Sequence, residues 1–395
     1  MGLRGAPARG RVGKEWSEWQ DLNLRPPRPE RGALPGCATL RLKAGLITAG
    51  GTPRKQKAGI DCMTVELTTR LVSADPAGIA AAVQCLARGG LVAFPTETVY
   101  GLGADATDGA AVARLYAAKG RPRFNPLIAH VPDLAAARRL GVLGPQAERL
   151  AHAFWPGPLT LVVPRQPDCP VSDLATAGLD TVALRVPDHP VARRLLRDVG
   201  RPVVAPSANR SGHVSPTEAA HVMADLRGRI DLIVDGGPTK VGVESTIVAC
   251  IGEARLLRPG GLPRAAIEEA LGRPLARTAD PAANAGEMSD EAPLAPGMLA
   301  SHYAPRAHLR LRATDAAPGE AVLAFGPHVP PQMQRAKALL NLSPAGDLVE
   351  AAANLFSHLR ALDREGVTAI AVMAVPHEGL GEAINDRLQR AAAPR

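Results

Sequence analysis

From Leu67 onward, short apolar runs rich in β-branched residues alternate with stretches in which apolar positions recur every three or four residues. That alternation is the signature of strands interleaved with amphipathic helices in an α/β fold. The apolar runs predict strands at Leu91–Phe94, Leu127–Val131, Leu159–Val163, Val182–Val186, Val203–Ala205, Leu232–Val234 and Thr246–Ala249. The longer periods predict helices at Pro76–Arg88, Ala110–Ala118, Asp133–Leu140, Pro145–Phe154, Pro190–Val199, Pro216–Leu226 and Pro263–Leu271. Prolines open several of these, as their fixed φ and missing N–H suit a first helical turn. After Gly272 the run RPLARTADPAANAGEMSDEAPLAPG has no period and is rich in Ala, Pro and acids, which predicts a linker. Strands at Leu309–Leu311, Ala321–Phe325 and Val367–Val375, with helices near Leu348–Asp363 and Ala383–Ala392, then predict a smaller α/β domain. The expected division is an extension (1–62), a first α/β domain (63–272), a linker (273–306) and a C-terminal domain (307–395).

Residues 1–62 carry neither period and include the Pro/Arg-rich run Arg25–Arg31, so an unstructured extension is expected. The segment WQDLNLRPPRPERGALPGCATL is similar to the product of a transfer-RNA gene translated in error, which makes Met63 a candidate true start; a flexible basic tail is the equal alternative. Composition narrows the function classes. With 46% hydrophobic residues the chain can bury two cores. It has no apolar window of roughly 18 residues and no apolar stretch behind Arg4, Arg9, Arg11 and Lys14, so neither a membrane span nor a signal peptide is expected. Its five cysteines are scattered without a CxxC pair, which argues against a disulfide framework or zinc cluster and for the cytoplasm. The net charge of +8 sits in the extension: residues 1–62 hold twelve Lys and Arg against five acids, and the remainder holds 34 against 33. Bulk charge therefore gives no argument for nucleic acid in the folded part.

Four clusters carry candidate chemistry. In FPTETVYGLGADA (Phe94–Ala106), hydroxyls, Glu97 and the glycines Gly101 and Gly103 follow a strand, as in a loop whose backbone approaches a ligand; an ordinary turn would also use GxG. KGRPRFNP (Lys119–Pro126) sets a lysine beside Arg121 in a region with three lysines and 31 arginines after Met63. A compact ammonium and a planar guanidinium suit polyphosphate oxygens, although cations also decorate helix C-termini; Lys119 is expected near the surface. APSANRSG (Ala205–Gly212) places Ser207 and Asn209 at a strand end, where α/β folds bind small ligands and where Ser/Asn turns also occur. The last group is WPGPLTLVV with Thr160, VALRVPDHP with Arg185, GVESTIV with Glu244, Ser245 and Thr246, and LLRPGG with Arg258. Arg185, flanked by Leu184 and Val186, needs an anion if buried: a protein carboxylate or a ligand. There is no GxxxxGK[ST] loop, GxSxG elbow or HExxH pair. His130 reads as a pocket wall or a satisfied core residue, and no nucleophile–base pair stands out. What remains is a cation- and hydroxyl-rich site suited to a phosphoryl centre.

PTETVYGLG, KGRPRFNPLIAHV, FWPGPLTLV, LRVPDHP, APSANRSG and VESTIV, in this order and spacing, resemble the YrdC-like family in its long two-domain form, that of the L-threonylcarbamoyladenylate synthases. PGMLASHYAPR resembles the passage into that form's second domain. The resemblance implies a YrdC-like twisted mixed sheet with flanking helices, followed by a smaller Rossmann-like α/β domain. It implies a nucleotidyltransferase that condenses L-threonine, bicarbonate and ATP, with Mg²⁺ carried by the ATP rather than by protein side chains. The product would pass to a threonylcarbamoyl transferase complex that modifies the adenosine next to the anticodon of tRNA. By resemblance, Lys119 and Arg121 are catalytic and, with Asn125, Ser207, Asn209, Arg258 and Tyr303, hold ATP. Thr96, Tyr100, His130, Thr160, Arg185 and Ser245 frame the threonine and its carbamate, so that the carbamate answers the charge of Arg185. Tyr303, in SHYAP, would belong to a lid that keeps water from a labile mixed anhydride. GEAINDRLQRAA (Gly381–Ala392) resembles the family's ending, while Asn385, Asp386 and Arg387 read equally as a solvated helix face. Two rivals stand: a double-stranded-RNA-binding module using Lys119 and Arg121 on phosphates, or weak RNA binding beside the enzyme, and a carbamoyl-transfer enzyme, whose usual zinc-finger modules the cysteine spacing excludes.

Overall fold

The computed structural model describes residues 67–276 and 302–394; the extension at 1–62 with its candidate start at Met63, and most of the linker at 273–306, lie outside the described residues. In chain order, the first part comprises β1 (Arg70–Ser73), α1 (Pro76–Ala87), β2 (Val92–Pro95), β3 (Tyr100–Asp105), α2 (Gly109–Lys119), β4 (Ile128–His130), α3 (Leu134–Leu140), α4 (Pro145–Phe154) and β5 (Leu159–Pro164). It continues with α5 (Asp173–Thr176), β6 (Thr181–Arg185), α6 (Pro190–Val199), β7 (Val203–Val204), α7 (Ala219–Leu226), β8 (Leu232–Asp235), β9 (Thr246–Ala249), β10 (Arg255–Arg258) and α8 (Arg264–Leu271). Beyond the linker come β11 (His308–Arg310), β12 (Ala321–Ala324), β13 (Leu339–Asn341), α9 (Leu348–Leu362), β14 (Ala369–Val372) and α10 (Gly381–Ala392). The first ten strands form one mixed sheet in the order β1-β8-β2-β3-β7-β4-β6-β5-β9-β10. The last four form a separate sheet, β11-β14-β12-β13, parallel throughout. The mixed α/β class expected from the sequence is the class observed.

Local chemistry explains most boundaries. Asp75 accepts from the Gly78 amide at 2.7 Å and Pro76 opens α1, so this end carries both a side-chain cap and a preset φ. Asp108 caps α2, which ends where Gly120 takes φ 61°. Along α6, Val191, Ala192, Leu195 and Leu196 are buried while the intervening arginines face outward. Every residue of β2 is buried, because helices cover both faces of the sheet, which is why its sequence is an unbroken apolar run.

The glycine-rich cluster departs from its expected loop: Tyr100–Asp105 is strand β3, paired antiparallel with β2. Its glycines admit neighbouring strands and not a ligand. A Cβ on Gly103 would lie 2.8 Å from the Phe94 ring, and one on Gly101 3.1 Å from the Ala205 Cβ. Strands β1, β10 and β13 and the short α5 were also hidden from periodicity, being three or four residues long. Helix α7 starts at Ala219, three residues after its expected proline.

Two cores matter for the site. The main sheet buries Leu102, Leu115, Leu150, Leu161 and Leu184 among others, each worth roughly 2 kcal/mol on burial. A second core joins Leu355, Phe356, Leu359 and Ile384 of the C-terminal part to Val99, Val214, Val243 and Tyr303, so the two parts share an apolar seam. Ion pairs Arg264–Glu382 (2.5 Å) and Arg360–Asp225 (2.9 Å) flank that seam. Among the described residues, no helix is long and apolar enough to cross a membrane.

Candidate active site

Lys119 is the last residue of α2, and the left-handed Gly120 turns the chain so that Arg121 folds back, its amide bonded to the Tyr116 carbonyl. The Lys119 ammonium donates to the carbonyls of Ser207 (2.6 Å) and Asn209 (2.5 Å), 88 and 90 residues away in sequence. The KGRPRFNP and APSANRSG motifs thus form one structure, also tied by Ser211 N–H to the Lys119 carbonyl (2.8 Å). Contrary to the expected surface position, Lys119 is only 3% exposed. Burial first, and the Arg121 charge second, push its pKa well below the ordinary lysine value. Arg121 is also buried and donates to the carbonyls of Asn125 (3.3 Å) and Pro126 (3.1 Å), with burial pulling its pKa down to about 10. The hydrogen bonds of both cations thus run to backbone carbonyls, not to carboxylates.

Arg121 helps to wall a small cavity with His130, Arg185, Ser207, Ser245, Arg258 and Tyr303; Val99, Glu244 and His302 complete much of the lining. About 50 Å³ is open inside it. Asn125 and Asn209 stand behind the wall, each buried with its side-chain carbonyl oxygen unpartnered. A buried acceptor without a donor costs about 1–3 kcal/mol and marks a place where a ligand or its water belongs. His130, from β4, is held neutral: burial, then the Arg185 charge, lowers its pKa to about 3. His302 is lowered to about 3 as well, chiefly by burial.

Three residues selected from the sequence spend their polar groups elsewhere. Thr96 Oγ1 donates to the Val99 carbonyl (2.7 Å) and sits beside Thr98 Oγ1, which makes it a turn-former. The Tyr100 hydroxyl donates to the Gly237 carbonyl (2.8 Å). Thr160 is fully buried and bonds Ser245 Oγ (2.8 Å), so it acts on the cavity through Ser245. Of the two anions open to Arg185, the protein supplies one: Glu97 lies at 2.6 Å, with Thr98 Oγ1 at 2.8 Å. Glu97 in turn accepts from the Asp188 amide (2.9 Å). A negatively charged ligand would share Arg185 with Glu97.

Glu244 and Arg387, noted in the sequence but given no role in the site, also belong to this corner. Glu244 accepts from Ser215 Oγ (2.5 Å) and from Arg387 (2.8 Å). Burial alone would raise its pKa, but Arg387 and Arg258 hold it at about 2, so it stays ionised. Arg387 is not on a solvated face: it is fully buried. Its signal was present in α10, where Ile384, Arg387, Leu388 and Ala391 follow helical spacing along one stripe, all buried. Residues 302–305 lie over this corner. Tyr303, at φ 64°, stacks on Phe356 (centroids 5.7 Å apart) and packs edge-on against His302 (4.0 Å). The His302 amide bonds the Arg390 carbonyl (3.2 Å) and that of Ala304 the Gly212 carbonyl (2.8 Å), which holds a non-glycine residue in the left-handed region.

A larger cavity, about 820 Å³, lies elsewhere, along Thr107, Arg138, Gln166, Asp168 and Arg201. Two of its cations are answered, Arg138 by Glu148 (2.7 Å) and Arg201 by Asp105 (2.5 Å), and it holds none of the residues selected from the sequence. No group of three or more His, Cys, Asp or Glu that could hold a metal occurs among the described residues.

Comparison with known proteins bears on this site. Residues 84–260 match the family described as telomere recombination (Sua5_yciO_yrdC), and residues 262–393 match that described as threonylcarbamoyl-AMP synthase, C-terminal domain. The chain is 42% identical over 348 residues to the threonylcarbamoyl-AMP synthase of Bacillus subtilis (strain 168), covering 84% of this chain and 97% of the relative. It is 42% identical over 330 residues to the threonylcarbamoyl-AMP synthase of Pyrococcus abyssi, covering 78% and 92%. A crystal structure of P. abyssi Sua5 complexed with L-threonine superposes with a TM-score of 0.71 at 39% identity, covering 82% of this chain and 97% of that one.

Proposed function

This chain belongs to the two-domain threonylcarbamoyl-AMP synthase family, and from that premise we propose that it is a nucleotidyltransferase which converts L-threonine, bicarbonate and ATP into L-threonylcarbamoyladenylate, pyrophosphate and water. The threonine amine captures carbon dioxide as a carbamate. A carbamate oxygen attacks the α-phosphorus, and the bond to pyrophosphate breaks with its electron pair leaving on pyrophosphate. Two anions must meet, so the site has to supply positive charge, with its own carboxylates Glu97 and Glu244 held by Arg185 and Arg387.

The observation that carries this reading is the pair of buried cations, Lys119 and Arg121, bonded to backbone carbonyls: Arg121 lines the cavity, and Lys119 bonds the carbonyl of the lining residue Ser207. Buried charge placed in advance at a transferring phosphoryl group is worth far more than the same charge in water. In this arrangement Lys119, Arg121, Ser207, Asn209 and Arg258 receive the triphosphate, and Tyr303 covers the nucleotide. Ser245, held by Thr160, and neutral His130 line the threonine side, where Arg185 draws the carbamate although Glu97 shares its charge. Mg²⁺ comes with ATP and neutralises phosphate charge.

A nucleotide needs several hundred Å³, against about 50 Å³ here. The segment bearing His302 and Tyr303 therefore swings outward to admit ATP, then returns to exclude water from the adenylate. The product is consumed by a threonylcarbamoyl transferase acting on tRNA in the cytoplasm, and RNA binding by this chain is secondary. Pyrophosphate release from Mg·ATP is the test, with and without L-threonine and bicarbonate and with L-serine and L-valine as controls. Release that depends on threonine and bicarbonate is expected; folded, ATP-binding protein without that dependence would overturn the assignment and favour the RNA-binding module.

A further inference from the structure

Arg387 belongs to α10, the last helix of the C-terminal part, yet its guanidinium contacts Glu244 and Tyr303, two residues of the cavity wall. It is fully buried, and its Nε donates to Glu244 Oε2 at 2.8 Å. Nη1 donates to the Pro259 carbonyl (3.0 Å), beside Arg258, and to Asp386 Oδ2 (2.6 Å). The guanidinium carbon lies 5.2 Å from the centre of the Tyr303 ring, close enough for a cation–π contact, and Nη2 has no hydrogen-bond partner. Burial works against its charge, while Tyr303 and the carboxylates Glu244 and Asp386 keep it protonated.

These contacts touch three pieces of the cavity. Glu244 precedes Ser245, whose carbonyl accepts from Arg258 at 2.8 Å, so fixing Glu244 fixes the turn that orients Arg258. Pro259 follows Arg258 directly. Tyr303 is itself part of the wall. Docking alone would not require such a group. Arg360–Asp225 and Arg264–Glu382 already span the seam from less buried positions. A fully buried ion pair adds little to stability compared with apolar packing of the same volume, because desolvation offsets the attraction.

We propose that Arg387 is a positioning residue of the synthase site: by fixing ionised Glu244 and the Tyr303 ring it sets the pose of Arg258 toward the nucleotide, and the C-terminal domain thereby completes the active site. This rests on the synthase reading given above.

The test uses the full-length chain with Arg387→Met, Arg387→Lys, Glu244→Gln and the Arg387→Met/Glu244→Gln double variant. Pyrophosphate release, titration of a non-hydrolysable ATP analogue, and melting temperature are measured on each. Arg387→Met is expected to raise KM for ATP and weaken analogue binding by about 10-fold or more, since a small misplacement of a binding group is costly. KM for threonine should move less. Arg387→Lys should recover melting temperature but only part of the nucleotide affinity, because an ammonium cannot reach Glu244 and Pro259 together. The double variant should be no worse than Arg387→Met alone, as both act through one link. Unchanged analogue affinity and KM in Arg387→Lys and Arg387→Met, with only melting temperature lowered, would overturn the positioning role; if the Met variant fails to fold, the Lys variant decides. Wild-type protein without threonine-dependent release would instead sink the synthase reading, and analogue binding still reports on Arg387.

Discussion

Replacing Lys119 by Met should separate folding from turnover, because the terms that decide each run in opposite directions. The lysine is 3% exposed and its ammonium rests on two carbonyls. Two charge-assisted hydrogen bonds contribute roughly 1.5–3 kcal/mol each, while dehydrating an ammonium costs several kcal/mol. Its depressed pKa shows which side prevails: burial and the Arg121 charge outweigh the Asp225 charge. Methionine has nearly the same length and volume and carries no charge, and what it gains by removing a dehydrated ammonium is offset by leaving the Asn209 carbonyl without that donor, so folding should change by about 2 kcal/mol or less, a few degrees in melting temperature. Turnover is another matter. Removing one preorganised positive group from a phosphoryl-transfer site costs about 10²–10³ in kcat, or ~2.7–4 kcal/mol. The assays are differential scanning calorimetry and threonine-dependent pyrophosphate release on the same preparation. A fall in melting temperature proportionate to the activity loss would refute the reasoning, and so would kcat within about threefold of wild type.

Three further outcomes are expected. Binding of Mg·ATP should take up protons at alkaline pH, above the range where free ATP and histidines titrate, because phosphates raise the lowered Lys119 pKa; calorimetry in buffers of different ionisation enthalpy should show the uptake in wild type and not in Lys119→Met. His130, held at about 3 against an ordinary 6.5, binds its proton first in the unfolded chain, so its stability contribution is complete above pH 6.5 and lost as pH falls toward 3. The stability of wild type relative to His130→Gln should therefore fall by ~1.4 kcal/mol per pH unit between about pH 6 and 5, as read by urea unfolding, with parallel curves refuting it. Finally, a Cβ on Gly242 (φ 78°) would lie 2.3 Å from the Ala352 carbonyl oxygen and 2.4 Å from the Ala353 Cα, both backbone of α9. Gly242→Ala should cost about 2–4 kcal/mol, and Gly237→Ala only about 1, since Gly237 has the same φ sign and open space around it; equal losses would show that the seam yields.

Elements whose ends carry a local signal are legible in the amino-acid pattern. Helices α4 and α6 lie where their prolines and apolar stripes place them, and β9 where its apolar run does. Strand β3 is not legible in that way, because its glycines serve the packing of Phe94 and Ala205 across the sheet and mimic a ligand loop in one dimension. Arg387 is half legible: helical spacing puts it on the buried stripe of α10, but a charge on that stripe has meaning only once Glu244 is found opposite.

The sequence by itself determined the elements with strong local signals and the family, because caps, periodicities and motif spacing act between residues a few positions apart. The tertiary structure alone decided how charges are shared. It gave Arg185 to Glu97, Lys119 to carbonyls 88 and 90 residues away, and Glu244 to an arginine 143 residues downstream. Such pairings follow from which strands become neighbours and how far burial strips water from a charge, and neither quantity is written in the local pattern.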